Sequence, residues 1–137
     1  MIGIEVGREA KVNGHTWFYG RGKIRIGDRT WIGPGCQFHS ATGTVIDIGC
    51  DCDIAPMVLF VTGTHNIGNA SRRAGEGVAL DIKVGNGCWL GVRSTILGGV
   101  SIGDGSLVAA GALVESNMPT NSLAAGVPAV VKKTYGD

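Results

Sequence analysis

The chain has almost no net charge. Twelve Lys and Arg against eleven Asp and Glu leave +1 over 137 residues. No bulk field is available to draw in nucleic acid or an anionic membrane surface, and neither is expected as a partner. The start, Met1-Ile2-Gly3-Ile4-Glu5, lacks a basic segment followed by an apolar run, so no secretory signal is read there. No apolar stretch is long enough to span a bilayer. Four cysteines without such a signal read as free thiols in a reducing cytoplasm. There is no Cys-x-x-Cys pair, which argues against a metal site, and no phosphate-binding loop. Aromatic residues are scarce: three Trp, two Tyr and three Phe. Glycine is abundant at 24, yet Val, Ile and Leu are plentiful, so the chain is neither disordered nor collagen-like. The length fits one domain, residues 1–137.

What is present is a repeat. From Val84 to Val114 an aliphatic residue recurs every six positions: Val84, Leu90, Ile96, Ile102, Val108, Val114. In four of these units the next residue is Gly85, Gly91, Gly103 or Ala109. Neither the helical period of 3.6 nor the strand period of 2 gives this pattern. A fixed repeat is read first as a solenoid of stacked turns. The same phase runs back through Ile48, Ile54, Phe60, through Ile26, Ile32, Phe38, and through Val6, Val12, Phe18, with two and four extra residues between groups. Five groups of three result, with all fifteen corners apolar and every phenylalanine on a third corner.

Four residues after a corner the side chain is usually small: Ala10, Thr16, Thr30, Cys36, Cys52, Thr64, Cys88, Ser94, Ser106, Ala112. This spacing predicts an all-β, three-sided prism with one hexapeptide per face. Parallel pairing stacks its coils about 4.8 Å apart. The glycines are expected to permit the bends between faces through positive φ. Cys36, Cys52 and Cys88 fall on the small inward position, and Cys50 is out of phase. Residues 66–83 break the repeat. Continuing the phase would bury Asn66 and Arg72, which is costly, so 66–83 is read as a protruding loop. The tail, 119–137, is expected to cover one exposed strand edge.

The tandem hexapeptides, Thr64-His65 opening the loop, and the closing Ala125-Gly126-Val127-Pro128-Ala129 together resemble the hexapeptide-repeat acyltransferases, and among them the galactoside and maltose O-acetyltransferases. The resemblance covers about Ile26 to Val131. It implies a left-handed parallel β-helix, an exception to the right-handed crossover preference. It also implies a homotrimer with active sites between subunits, acetyl-CoA as acyl donor, a small sugar acceptor and no metal.

Acyl transfer to a hydroxyl needs a base. An imidazole of ordinary pKa about 6.5 is largely neutral near pH 7 and able to serve. The resemblance gives this role to His65; the bland alternative is a histidine that anchors the loop. By the same resemblance the backbone of Val92 faces the thioester oxyanion. Gly91, Val92, Ala110, Glu115, Ser116, Gly126, Val127 and Pro128 lie along the pantetheine arm. Lys132 and Lys133 meet the CoA phosphates, or else form a solvated basic tail. Relatives often carry Thr-Lys where this chain has Glu115-Ser116. His39, Asn66, Arg72 and Arg73, with Glu76 nearby, are candidate acceptor contacts. His39 stands where related enzymes have asparagine.

The three tryptophans, Trp17, Trp31 and Trp89, read as subunit-packing or sugar-stacking residues. Several alternatives stay open. One is a serine O-acetyltransferase-like or xenobiotic acetyltransferase. Another is a non-catalytic β-helix scaffold. A third is a zinc protein resembling γ-class carbonic anhydrases, but those carry two histidines five residues apart, and the spacings here are 24 and 26.

Overall fold

The computed structural model describes residues 3–136. The first coil is β1 (Gly3–Val6), β2 (Lys11–Val12) and β3 (Trp17–Tyr19). The second is β4 (Lys23–Ile26), β5 (Trp31–Ile32) and β6 (Gln37–His39), and the third is β7 (Val45–Ile48), β8 (Asp53–Ile54) and β9 (Leu59–Val61). A hairpin follows, β10 (Gly63–Ile67) and β11 (Ala74–Ala79). The fourth coil is β12 (Ile82–Val84), β13 (Trp89–Leu90) and β14 (Thr95–Leu97), and the fifth is β15 (Ser101–Ile102), β16 (Leu107–Val108) and β17 (Leu113–Val114). The chain closes with β18 (Ser122–Gly126) and β19 (Ala129–Thr134). Strands of like position pair in parallel. They make a first wall (β1, β4, β7, β12, β15), a second (β2, β5, β8, β13, β16) and a third (β3, β6, β9, β14, β17). Among the described residues there is no helix.

The period of six locates every corner. Val6, Ile26, Ile48, Val84 and Ile102 share one register column. Val12, Ile32, Ile54, Leu90 and Val108 share the second. Phe18, Phe38, Phe60, Ile96 and Val114 share the third. From the second coil upward each is at most 2% exposed, and each such burial contributes roughly 1.5–3 kcal/mol relative to exposure. The phenylalanines stack along the axis, Phe18 on Phe38 at 5.3 Å and Phe38 on Phe60 at 4.7 Å. Two places before the second and third corners the inward residue is small, with Val58 before Phe60 the exception. The hydroxyls and thiols of these small residues donate inward to backbone carbonyls, as Thr30 does to Gly49 (2.6 Å), Cys52 to Gly85 (3.1 Å) and Ser94 to Gly91 (2.8 Å).

Three details depart from the sequence expectation. On the first wall the inward position holds Ile24, Ile46, Ile82 and Val100, all buried, rather than small residues. Thr64 is not inward at all; it lies exposed on β10. The excursion begins at Gly63 rather than at 66, has the regular form of a β-hairpin, and ends before Ile82, which is back in the wall beside Ile46. Its residues alternate too weakly in polarity to announce strands.

The glycines also do something other than expected. Positive φ falls three residues after a corner, where it is taken by Glu9, His15, Arg29, Asp51, Met57 and Arg93 as well as by Gly35, Gly87, Gly105 and Gly111. The glycines directly after corners are needed for close approach of coils. A Cβ on Gly27 would sit 2.5 Å from the Gly49 carbonyl carbon, and one on Gly91 would sit 2.5 Å from the Ala110 nitrogen. Coils stacked at strand spacing leave no room there.

The tail covers the upper end. β18 extends the second wall beside β16, and β19 folds back antiparallel on β18. Met118 and Ala124 plug the interior. At the lower end Ile4 and Val6 stay 41% and 51% exposed.

Candidate active site

All insertions into the repeat fall at one edge of the prism, between the third and first walls. The largest is the hairpin, whose base is tied to the coil below. Leu80 N–H donates to the Thr62 carbonyl (3.0 Å), and Val45 N–H donates to the Asp81 carboxylate (2.9 Å). Thr62 is buried, and its hydroxyl accepts from Ala41 N–H (2.9 Å) and lies 2.9 Å from the Thr44 hydroxyl. The 41–44 turn and the hairpin base therefore share a buried hydroxyl hub.

His65 projects from β10 opposite Gly77. Its Nδ1 lies 3.0 Å from the Gly75 carbonyl oxygen across the hairpin. A carbonyl only accepts, so Nδ1 carries the proton and donates, and the neutral ring keeps a lone pair on Nε2. His65 lines a cavity of about 640 Å³ bounded by residues 41–44, 63–65 and 77–79. That lies within the range of roughly 300–1,000 Å³ for small-molecule sites. Sequence reasoning missed the 41–44 turn. The signal was the four-residue insertion itself, placed at the same edge as the excursion.

The other expected contacts are scattered. His39 lies on the third wall. Its Nε2 is 2.9 Å from Gln37 Oε1, and its ring stacks on Tyr19 at 4.5 Å. It lines a second cavity of about 190 Å³, with Tyr19, Ala41, Val61 and Gly63. Asn66, Arg72 and Arg73 belong to the outer hairpin, beyond the residues that bound the His65 cavity. Arg73 donates to the Gly68 carbonyl at 3.2 Å. Glu76 is exposed on β11. Trp17 and Trp89 are 53% and 55% exposed.

Val92 and Ala110 sit on a different edge, between the second and third walls. Two residues past the second corner, the column runs Pro34, Pro56, Val92, Ala110. Gly126 continues it above. In the second and third coils proline leaves no N–H to satisfy. At Val92 and Ala110 the N–H is present, and neither bonds another group among the described residues. At the equivalent position on the neighbouring edge the N–H groups are capped from the next coil, as Cys50 N–H is by Asn86 Oδ1 (2.8 Å) and Asn86 N–H by Asp104 Oδ1 (2.8 Å). Two stacked open donors on one edge suit an extended ligand with carbonyl groups. Gly91 and the Gly126-Val127-Pro128 turn flank this edge, and Lys132 and Lys133 are exposed further along β19, Lys133 opposite Leu123 over the second wall. Glu115 and Ser116 instead follow the third corner, on the hairpin's edge. Within one chain His65 and Val92 thus stand on opposite edges of the third wall. Among the described residues no three His, Cys, Asp or Glu side chains gather as metal ligands.

Comparison with known proteins places this geometry. Residues 81–116 match the family described as bacterial transferase hexapeptide, six repeats. The galactoside O-acetyltransferase of Escherichia coli is 34% identical over 131 residues, covering 82% of this chain and 64% of that protein. A putative acetyltransferase of Schizosaccharomyces pombe is 33% identical over 106 residues, covering 77% of this chain and 50% of that protein. The chain thus spans between half and about two thirds of these relatives. A solved galactoside acetyltransferase in complex with coenzyme A superposes with a TM-score of 0.86 at 31% identity, over 98% of this chain and 66% of that one. The polySia-specific acetyltransferase NeuO superposes with a TM-score of 0.82 at 29% identity, over 97% of this chain and 62% of that one. The prism is a left-handed parallel β-helix of about five coils, as in these acetyltransferases.

Proposed function

Because the chain belongs to the hexapeptide-repeat acyltransferase family, we propose that it moves an acetyl group from acetyl-CoA to a hydroxyl of a small sugar or sugar-bearing acceptor. The reaction runs in the cytoplasm, in a homotrimer whose active sites lie between chains. The observation that carries this reading is His65, with Nδ1–H committed to the Gly75 carbonyl and Nε2 left as a base beside a ligand-sized cavity.

Nε2 takes the proton of the acceptor hydroxyl as its oxygen attacks the thioester carbonyl carbon. The Gly75 carbonyl holds the ring in the required tautomer through the resulting imidazolium. Negative charge gathers on the thioester oxygen, where the Val92 N–H of a neighbouring chain donates to it. The C–S bond then breaks, and the imidazolium returns its proton to the departing CoA sulfur. Transfer is direct, without an acyl-enzyme. Ala110 N–H, Gly91 and the Gly126-Val127-Pro128 turn hold the pantetheine arm. Lys132 and Lys133 meet the phosphates, and Glu115-Ser116 approach from the adjoining chain. The outer hairpin, with Asn66, Arg72 and Arg73, borders the acceptor entrance.

The test is thiol release from acetyl-CoA across sugars, amino acids and antibiotics. His65→Ala should lower turnover at least about a hundredfold with the oligomer intact. Near-normal turnover in that variant removes His65 from the chemistry.

A further inference from the structure

The two ends of the prism are finished differently. At the upper end β18 and β19 continue the second wall, and Met118 and Ala124 fill the interior. At the lower end β1, β2 and β3 are each the last strand of their wall, and among the described residues nothing pairs with their outer edges. Val6 begins a column whose other members are at most 2% exposed, yet it is 51% exposed, and Ile4 is 41% exposed. The backbone is open there too. The carbonyls of Ile26, Ile32 and Cys36 accept from the coil beneath, from Gly7 N–H (2.8 Å), Asn13 N–H (3.0 Å) and Trp17 N–H (2.9 Å). Their counterparts in the first coil, the carbonyls of Val6, Val12 and Thr16, face out of the end with no coil to meet them. Arg29 and Gly35 N–H point down onto the Arg8 and Gly14 carbonyls. Glu9 and His15 N–H, their counterparts, therefore face out as well.

We infer that the lower end is an interface on which two copies of this chain stack end to end about a two-fold axis. Three free strand edges closed into a triangle are not satisfied by one added strand. Another lower end offers three edges of the same length at the same angles, with both donors and acceptors. The upper end does not, because β18 and β19 cover it. Stacking therefore runs lower end to lower end and closes at two. Turning one prism over reverses its circulation, so facing strands run antiparallel, a pairing that strands accept readily.

Each side of the triangle is about six residues, roughly 20 Å. One pair of ends is thus a contact smaller than the roughly 1,200 Å² of a stable interface. The homotrimeric ring proposed above presents three ends at once, and these act together. The stacking of whole rings rests on that reading. A ring that joins the two edges flanking the third wall turns the third walls toward its axis. The two-fold then runs radially, through the middle of the third wall and the ridge between the first and second walls. On that ridge Arg8 and Glu9 adjoin, both exposed, and the two-fold sets Arg8 of one copy against Glu9 of the other. Mid-wall it brings together two copies of Trp17, which is 53% exposed and stacked on Tyr19 at 5.7 Å.

Light scattering behind size-exclusion chromatography reads the number of chains. The protein should run as six. Val6→Lys puts a charge into the apolar centre of the contact and should halve the mass to three chains. Ile4→Pro should do the same: alternation along β1 turns Ile4 N–H toward the open end, so the ring removes a donor there and leaves the bonds to β4 intact. It serves if Val6→Lys does not fold. Val130→Lys, at the upper end, should leave six. Three chains in the unaltered protein overturn the stacking and keep the ring. Two chains that Val6→Lys or Ile4→Pro divides keep the stacking and overturn the ring. A single chain overturns both. Six chains that neither lower-end variant divides, six that Val130→Lys divides, or open-ended filaments overturn the stacking.

Discussion

Gly27 directly follows its corner and Gly14 lies one place further on, and the two meet different surroundings. A Cβ at Gly27 would be driven into the backbone of the next coil, while at Gly14 nothing lies within 4 Å and φ is ordinary. Gly27→Ala should therefore cost about 1–3 kcal/mol through overpacking. Gly14→Ala should be neutral or stabilising by up to about 1 kcal/mol, because it restricts the unfolded chain. Urea unfolding of the two variants checks both signs; equal effects would mean the corner glycines serve only backbone freedom. The sequence showed where these glycines fall but not why, since close approach depends on a neighbour some twenty residues away. The thiols make a similar case. Burial pushes the Cys36 thiol up, and a hydrogen bond with Cys88 together with burial does the same to Cys52. Both stay protonated and enclosed at pH 8, and Cys88 is just as deeply buried. Cys50, partly exposed, should be the one thiol that a disulfide reagent titrates quickly in the native protein. Fast reaction of a second thiol without unfolding would contradict the inward placement of the other three.

The walls and the hairpin were legible to different degrees, for a physical reason. A wall strand is two to four residues long and repeats its environment in every coil, so one aliphatic residue per six suffices to register it, and the Phe18-Phe38-Phe60 column confirms the phase independently. The hairpin repeats nothing. Gly63, Thr64 and His65 fit the hexapeptide spacing by coincidence, so its start was misplaced by three residues. His65 stands out in the sequence as a histidine at a repeat break. The cavity beside it does not, because its other walls come from the 41–44 turn. What joins those two segments is Thr62. Thr62→Val preserves shape but strands Ala41 N–H and takes one partner from the buried Thr44 hydroxyl, which keeps the Ala41 carbonyl. The expected loss is about 1–3 kcal/mol. The acceptor KM should rise while the acetyl-CoA KM holds, because the turn loosens while the Val92–Ala110 edge is untouched. A parallel rise in both constants would show that Thr62 supports the whole prism rather than the turn.

Across the whole molecule, the proposed division of the site between two edges makes a demand on assembly. His65 stands at the edge between the third and first walls, and the open N–H groups of Val92 and Ala110 stand at the edge between the second and third. One chain cannot bring them together, because the third wall lies between them. Two inactive variants should therefore repair each other. Val92→Pro removes the proposed oxyanion donor in a column where Pro34 and Pro56 show that the backbone accepts the ring, and loss of such a donor costs about a hundredfold or more. His65→Ala removes the proposed base. Each homo-oligomer should be nearly inactive. When the two are unfolded together and refolded in equal amounts, a site formed by His65 of one chain and Val92 of the next is intact with probability one half for each residue. About a quarter of wild-type activity should return in a closed ring of identical interfaces. A site contained within one chain would recover nothing on mixing, because every chain carries one defect. The recovered fraction thus measures, without a structure of the assembly, whether base and oxyanion donor come from different copies.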